Sequence, residues 1–272
     1  MLRRRAGRRR RGGTGALWVG QKAKARVDDC ALRDNATVGI HVRQRARVGI
    51  NRRTITGHTW AVAAPFGDQR ARSRIDLVES LVSGNVDPVP LAGTIDVDTA
   101  KLRIVDTTVS GNTGDGVAAG GVPGPPRISN STVSGNGGTG VAIGTRGQLD
   151  HVTIAGNGGV GLSTGVYAKV SSVLVADNAV DCDAFIELRV LNGALSENPA
   201  GCNLVALGGA PVLDGDPGLL PLQDNGGQTQ TQALPPGSIA VGVLTKRSAC
   251  NQPDQRGVPR TAPCDLGAFE LP

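Results

Sequence analysis

The sequence predicts an all-β fold, a right-handed parallel β-helix (a solenoid) of about seven coils with an irregular, disulfide-stapled C-terminal module. Three observations predict it. One five-residue pattern recurs along the chain at a nearly constant spacing. Only 2% of the residues are aromatic, so Val, Ile, Leu and Ala must build the core, which suits a narrow repetitive interior. The 40 glycines are too many for long helices.

The repeat is clearest in the middle of the chain, where residues 108–112 and 132–136 both read TVSGN and residues 153–157 read TIAGN. Residues 81–85 and 174–178 extend the series, and fainter copies occupy residues 31–35 and 54–58. The last positions of these copies are separated by 23, 27, 27, 24, 21 and 21 residues, which fits one coil of two or three short strands.

Each copy combines a strand with a bend. Apolar and polar residues alternate as in a half-buried strand, and the following Gly-Asn pair tolerates the left-handed backbone of a tight bend. Stacked coils would place the asparagines above one another as a hydrogen-bonded ladder, with His58 in one position. The predicted ladder residues are Asn35, Asn85, Asn112, Asn136, Asn157 and Asn178. The alternative is that the Asn-Gly pairs mark hairpin turns of a β-sandwich.

The pattern divides the chain into three parts. Residues 1–26 are an Arg/Gly-rich arm, residues 27–180 hold the repeats, and residues 181–272 form the C-terminal module. Residues 1–74 contain 19 of the 29 Lys and Arg but four acids, so the overall charge of +6 belongs to the N-terminal part. The densest basic run, residues 3–11, has no periodicity and predicts a disordered arm.

Neither a membrane-spanning stretch nor a signal peptide is visible in the sequence. The apolar stretch behind the basic run is too short for a signal peptide, and we expect the true start of the protein to lie upstream. We predict an extracellular or cell-envelope location on two other grounds, the cysteines and a family resemblance of the tail, which are described next.

Three motifs distinguish the tail: LQDNGGQTQTQAL at residues 222–234, DQRGVPR at 254–260 and CDLGAFE at 264–270. In order and spacing they resemble bacterial β-helix proteins with a choice-of-anchor Q C-terminal domain, and the resemblance covers residues 27–272. It implies secreted or envelope-attached proteins. The repeats also resemble, more loosely, the pectin-lyase fold of pectate lyases and polygalacturonases.

Five cysteines are present, and four of them flank two short segments. We expect the disulfides Cys182–Cys202 and Cys250–Cys264, which indicate an oxidising compartment. Cys30 is left over and is interpreted as a small core residue.

The sequence contains no recognisable motif for a catalytic nucleophile, for nucleotide binding or for zinc binding. The sequence predicts no cofactor, although Asp177, Asp181 and Asp183 are close enough together to be candidate calcium ligands. The functional hypothesis is a non-catalytic extracellular or cell-surface scaffold that binds polysaccharides or cell-surface glycans weakly. The alternatives are a polysaccharide lyase or glycoside hydrolase, and nucleic-acid binding through the basic arm.

Overall fold

A computed structural model describes residues 15–35, 37–43, 45–64, 73–87, 93–121 and 124–272. It confirms the predicted fold class: the described residues form a parallel β-solenoid of about seven turns and contain no helix. The basic run at residues 3–11 lies outside the described residues.

Three strands make up most coils, and each belongs to one face of the solenoid. The first face, a sheet of eight strands, contains β1 (Gly15–Val19), β4 (Val38–Val42), β7 (Trp60–Ala64), β10 (Gly93–Val97), β13 (Asp115–Ala119), β15 (Val141–Ile143), β17 (Val160–Thr164) and β20 (Val180–Ala184). The second face contains β2 (Lys24–Asp28), β5 (Arg47–Asn51), β8 (Ser73–Val78), β11 (Ala100–Val105), β18 (Ala168–Ser171), β21 (Leu188–Val190) and β23 (Leu204–Ala206).

The third face contains β3 (Ala31–Arg33), β6 (Thr54–Thr56), β9 (Leu81–Ser83), β12 (Thr108–Ser110), β19 (Val173–Ala176), β22 (Ala194–Ser196) and β24 (Val212–Asp214). Two longer strands, β14 (Arg127–Ser134) and β16 (Gln148–Ala155), run from the second face onto the third. Every pairing between these strands is parallel, and each step along a face moves one coil along the chain.

The strands of the second and third faces are separated by a bend with a left-handed residue. Its φ is positive at the equivalent position of successive coils: Asp29, Arg52, Glu79, Asp106, Asn130, His151 and Ser172. Polar and short side chains dominate this list, as expected for residues that tolerate the left-handed region. From the second coil onward the residue after this position is buried, and Ser80, Thr107 and Ser131 there accept hydrogen bonds from the backbone N–H of the preceding coil at 3.2–3.3 Å.

The asparagines form a row at the next bend. The Nδ2 atoms of Asn85, Asn112, Asn136 and Asn157 each donate to Oδ1 of the asparagine one coil further on, at 2.7–2.9 Å. That same oxygen also accepts a backbone N–H, as in the bond from Asn112 N to Asn136 Oδ1 at 3.3 Å. The row therefore satisfies buried amides that would each cost about 1–3 kcal/mol if left unpaired.

Both ends of this row differ from its middle. His58 is buried and donates its backbone N–H to Asn85 Oδ1, while Nε2 of its ring lies 3.2 Å from the carbonyl of Leu32. Asn35, which the sequence places in the row, instead directs its amide to the carbonyl of Arg33. At the other end Asn178 donates to Asp181 Oδ1 at 3.1 Å.

Aliphatic side chains of successive coils form one continuous core. Ile50, Leu77, Ile104 and Ile128 succeed one another on the inner side of the second face and are fully buried. Cys30 departs from the prediction of a core residue, because it is exposed and unbonded in the first coil. Its register neighbour is Arg53, which is buried. Among the described strands, those of the first coil pair with another coil on one side only, and Leu17, Ala25 and Leu32 there are partly buried.

The solenoid continues past residue 180, where the loss of the motif suggested a boundary. Strands β20 to β24 extend the same sheets, and the last of them ends at Asp214. Both expected disulfides are present in this C-terminal region, Cys182–Cys202 and Cys250–Cys264. The first joins β20 to the turn that follows β22. The pattern failed to predict these coils because their bends no longer contain the Gly-Asn pair.

The tail folds back over the third face. The outward residues there, Thr108, Thr132 and Thr153, are fully buried beneath it. Gln255 is the centre of the contact: its Nε2 donates to Thr108 Oγ1 and Thr229 Oγ1, both at 2.8 Å, and its Oε1 accepts from Thr132 Oγ1 at 2.7 Å. Further along, leucines replace the threonines and pack with Leu244, Leu266 and Phe269 of the tail in a second apolar core.

Candidate anion-binding face

Basic side chains form two straight rows on the outer side of the second face. In the first row Lys24, Arg47, Arg74 and Lys101 lie directly beside one another on four successive strands. In the second row the register joins Arg26, Gly49, Asp76, Arg103, Arg127, Gln148, Lys169 and Arg189. Strands in a sheet are about 4.8 Å apart, so the second row spans roughly 34 Å.

The basic side chains of both rows point outward, because side chains alternate between the two sides of a strand. Between the two rows the register places buried aliphatic residues such as Val48, Ile75 and Leu102, which point into the core. Because side chains of a strand alternate between its two faces, the basic residues on either side must face solvent. Most of them are exposed, and Lys169 and Arg189 are half-buried.

Positive charge predominates on this face. Of the residues that the structure describes, ten Lys or Arg side chains lie on it, and the acids are Asp28, Asp76, Asp150 and Glu187. Three of these acids are paired with a base of the same face: Asp28 with Arg26 and Asp76 with Arg74, both at 2.7 Å, and Glu187 with Arg189. The hydrogen bonds that Arg74 donates to the Asp76 carboxylate raise the pKa of Arg74, which keeps that guanidinium charged. Like charges directly opposite on paired strands destabilise a sheet, so an anion bound along the first row would reduce the repulsion between its side chains.

Tyr167 orders one part of this face. It lies two residues before Lys169, as Arg146 lies two residues before Gln148, so both continue the first row. The guanidinium carbons of Arg146 and Arg189 lie 4.7 and 4.4 Å from the centre of its ring. Guanidinium groups at this distance from an aromatic ring gain about 0.5–1 kcal/mol at exposed sites, so Tyr167 holds two cations in place.

The candidate calcium ligands have other positions in the structure. Asp181 is buried, and it accepts hydrogen bonds from Asn178 Nδ2 at 3.1 Å, Ser196 Oγ at 3.0 Å and the backbone N–H of Asn198 at 2.8 Å. Its carboxylate thus ends the asparagine row. Asp177 and Asp183 are exposed, and the described part of the chain brings together no group of three or more His, Cys, Asp or Glu that could hold a metal ion.

The carboxyl groups with raised pKa values lie apart from one another. Asp96 lies on the first face, and burial, together with the nearby carboxylates of Asp98 and Asp87, raises its pKa to about 6. Burial also raises the pKa of Asp106 to about 6, and the charge of Glu79 adds to this while a hydrogen bond from Asn130 opposes it. Asp106 lies at the bend between the second and third faces, so the two groups do not form one acid–base pair.

The tail motifs hold the tail together and attach it to the solenoid. Arg260 forms a buried ion pair with Glu270 at 2.8 Å, and Asp254 pairs with Arg256 at 2.7 Å. The guanidinium of Arg256 in turn lies 3.8 Å from the ring of Phe269. Because these side chains are buried and bonded to one another, the motif residues have a packing role in this structure.

Two of the three histidines are buried, and both lie at bends of the chain. His58 belongs to the asparagine row, and Nδ1 of His151 lies 3.1 Å from Asp150 Oδ1. His151 occupies the bend column next to Ser172, whose carbonyl accepts the N–H of Gly267 in the tail. The tail therefore lies against this column.

Comparisons with protein-family models, with curated proteins and with solved structures each find no match. The resemblance to choice-of-anchor Q proteins thus depends on the three tail motifs. Among the described residues, no helix has the length and apolar character needed to cross a membrane.

The basic face was missed in the sequence, although its signal is present there. In nearly every coil, Lys or Arg occurs in or just before the strand of the second face, two or four residues before that strand ends. Arg103 and Lys101, for example, lie two and four residues before Val105, the last residue of β11. Counting charge along the sequence assigned the excess of positive charge to the N-terminal part of the chain, residues 1–74. Aligning the same residues on the coil period would have revealed the rows.

Proposed function

We propose that this protein is a non-catalytic extracellular scaffold that binds anionic polysaccharides through its basic face. The observation that carries the proposal is the alignment of ten basic side chains in two rows against four acids. A linear polymer with regularly spaced carboxylates or sulfates could contact successive strands along such rows. Charge complementarity of this kind favours fast, salt-sensitive association.

Three features favour a polysaccharide over a nucleic acid. The two disulfides indicate an oxidising environment, as found outside the cell. Single-stranded nucleic acids bind best where bases stack on aromatic side chains, and Tyr167 already has a guanidinium near its ring on each side. The tail resemblance adds an envelope-attached or secreted location to the proposal.

Binding of defined polymers to the full chain tests the proposal. We expect polygalacturonate and alginate to bind in low salt, neutral dextran not to bind, and single-stranded DNA to bind more weakly than either acidic polymer. The variant Arg103→Glu/Arg127→Glu should lose at least about tenfold in affinity and show a shallower salt dependence, since fewer counterions are released. Lys246→Glu/Arg247→Glu, which changes net charge equally in the exposed part of the tail, is the matched control.

Two outcomes would overturn the proposal. Equal loss of affinity in both variants would mean that net charge, not the face, determines binding. Release of reducing ends or unsaturated products from the acidic polymers, with or without calcium, would instead favour the polysaccharide lyase or glycoside hydrolase.

A further inference from the structure

The basic residues of the strands are concentrated on the second face. Ten Lys or Arg lie in the described strands, and nine of them belong to that face, the exception being Arg33 on the third. The eight strands of the first face contain none. Bases placed only for solubility would be spread over all three faces, so this distribution marks the second face as the one adapted to anions.

Every coil along this face contributes at least one base. Eight successive strands do so, and they are β2, β5, β8, β11, β14, β16, β18 and β21. For β16 the base is Arg146, two residues ahead of the strand, and it is the tenth base of the face. The next strand, β23, contains no base. Cations therefore recur once per coil at the strand spacing of about 4.8 Å, and we call the ten of them the axial track.

The track runs across the strands, parallel to the solenoid axis. Along any single strand at most two bases face outward, as Lys101 and Arg103 do, because neighbouring residues alternate between solvent and core. The ion pairs within this face involve Arg26, Arg74 and Arg189. Among the described residues Lys101 and Arg103, in the middle of the track, have no acid within ion-pair distance, so they are open to an external anion.

We propose that the anionic polysaccharide lies along the solenoid axis on this track, with one anionic group facing each coil. This inference rests on the proposed function and adds the direction of the polymer and the spacing of its charges. One sugar of an extended 1,4-linked chain is about as long as the distance between two strands, about 4.8 Å. A polymer that is charged on every sugar thus meets a base in every coil, whereas one charged on every second sugar meets a base in alternate coils.

The number of coils sets the length of polymer that the track binds. Affinity should rise with each added sugar up to about eight and then level off, because eight strands carry the track. The salt dependence should steepen over the same range, since each further ion pair releases counterions. Duplex DNA fits poorly, because the phosphates of one strand follow one another at about 3.4 Å and lose register with the coils.

Two single variants in distant coils test the direction of the polymer. Arg47→Gln and Lys169→Gln are five strands apart, roughly 24 Å. Each should weaken binding of octagalacturonate to the full chain about two- to fivefold, the contribution of one exposed ion pair, because the octamer contacts both coils. Trigalacturonate should lose almost nothing in either variant, since it can bind at other coils. Arg33→Gln, which removes an exposed base from the third face, is the matched control in calorimetric titrations.

The spacing of the charges is tested with a second polymer of equal length. A hyaluronan octasaccharide, with a carboxylate on every second sugar, should bind at least about fivefold more weakly than octagalacturonate, because it forms fewer ion pairs. Melting curves show whether each variant is folded, and Arg127→Gln replaces Lys169→Gln if the half-buried Lys169 proves necessary for folding.

The outcomes separate this inference from the proposed function. The axial arrangement is wrong if octagalacturonate binds no more tightly than trigalacturonate, if only one of the two variants weakens the octamer, or if both octamers bind equally. Salt-sensitive binding of polygalacturonate would still support the proposed function in those cases. If no acidic polymer binds in low salt, the proposed function fails and the axial arrangement fails with it.

Discussion

At the scale of single residues, position in a row decides what a side chain contributes. Asn136 accepts two hydrogen bonds from Asn112 and donates to Asn157 Oδ1 and to the carbonyl of Val109. These four hydrogen bonds are buried and join Asn136 to the coils on both sides of it. An asparagine at this position is therefore worth more than the turn propensity that makes it recognisable in the sequence.

Replacement of one ladder residue should be costly. We expect Asn136→Ala to lower the free energy of unfolding by about 1–3 kcal/mol, because buried donors and acceptors in the neighbouring coils lose their partners. Urea denaturation measures the change. Asn35→Ala is the control, since the side-chain amide of Asn35 donates to the carbonyl of Arg33, two residues before it; an equal loss in both variants would contradict the role given to the row.

Asp106 makes stability depend on pH. Its pKa is about 6 in the folded protein, above the ordinary value of 3.8, because burial disfavours the charged form. A raised carboxyl pKa contributes stability at pH below 3.8, and that contribution is lost as pH rises through 6. Asp106→Asn removes this loss, and asparagine tolerates the positive φ of the position.

The expected result is a melting temperature equal to wild type near pH 3.5 and higher than wild type at pH 7.5. Asp183→Asn, which removes a carboxylate from an exposed site, is the control variant. A difference between Asp106→Asn and wild type that stays constant over this pH range would contradict the effect of ionisation.

At the scale of elements, the tail acts as a lid on the third face. Its contacts with the solenoid are backbone and side-chain hydrogen bonds to the threonine row, such as the bond from Ala268 N to Thr153 Oγ1 at 3.0 Å. The close approach explains the glycine before it: a Cβ on Gly267 would lie 2.6 Å from Thr153 Oγ1. Residues of the tail motifs therefore attach the tail to the third face of the solenoid.

Alanine variants of two tail glycines distinguish the effect of this contact on stability from the effect of backbone strain. Gly267 and Gly257 have nearly equal φ values, 86° and 89°, but a Cβ on Gly257 would meet nothing within 4 Å. Both alanine variants share the strain of a positive φ, so we expect Gly267→Ala to melt at a clearly lower temperature than Gly257→Ala. Hydrogen exchange should show faster exchange of the Ala268 amide in the first variant only. Equal melting temperatures would mean that the tail yields without cost.

At the scale of the whole molecule, the period of the motif predicted the stacking and the continuous core. Residues such as Val109, Val133 and Ile154 could be placed on one inner column because a strand alternates and the coils repeat. The coils after residue 180 could not be predicted, since parallel pairing needs no fixed turn residue. The attachment of the tail was equally hidden, because the contact between Gln255 and Thr108 joins residues 147 apart in sequence.

Cross-links stabilise the part of the molecule where the motif is lost. Cys182–Cys202 closes a loop of 20 residues beside β20, and a loop of this size predicts about 3 kcal/mol of stabilisation. We expect Cys182→Ser/Cys202→Ser to lower the free energy of unfolding by about that amount, and dithiothreitol to lower the melting temperature of wild type. Cys30→Ser, which removes the exposed free thiol, should match wild type in both buffers. If reductant left the wild-type melting curve unchanged, the last coils would be stable through packing alone, and the case for an oxidising compartment would weaken with them.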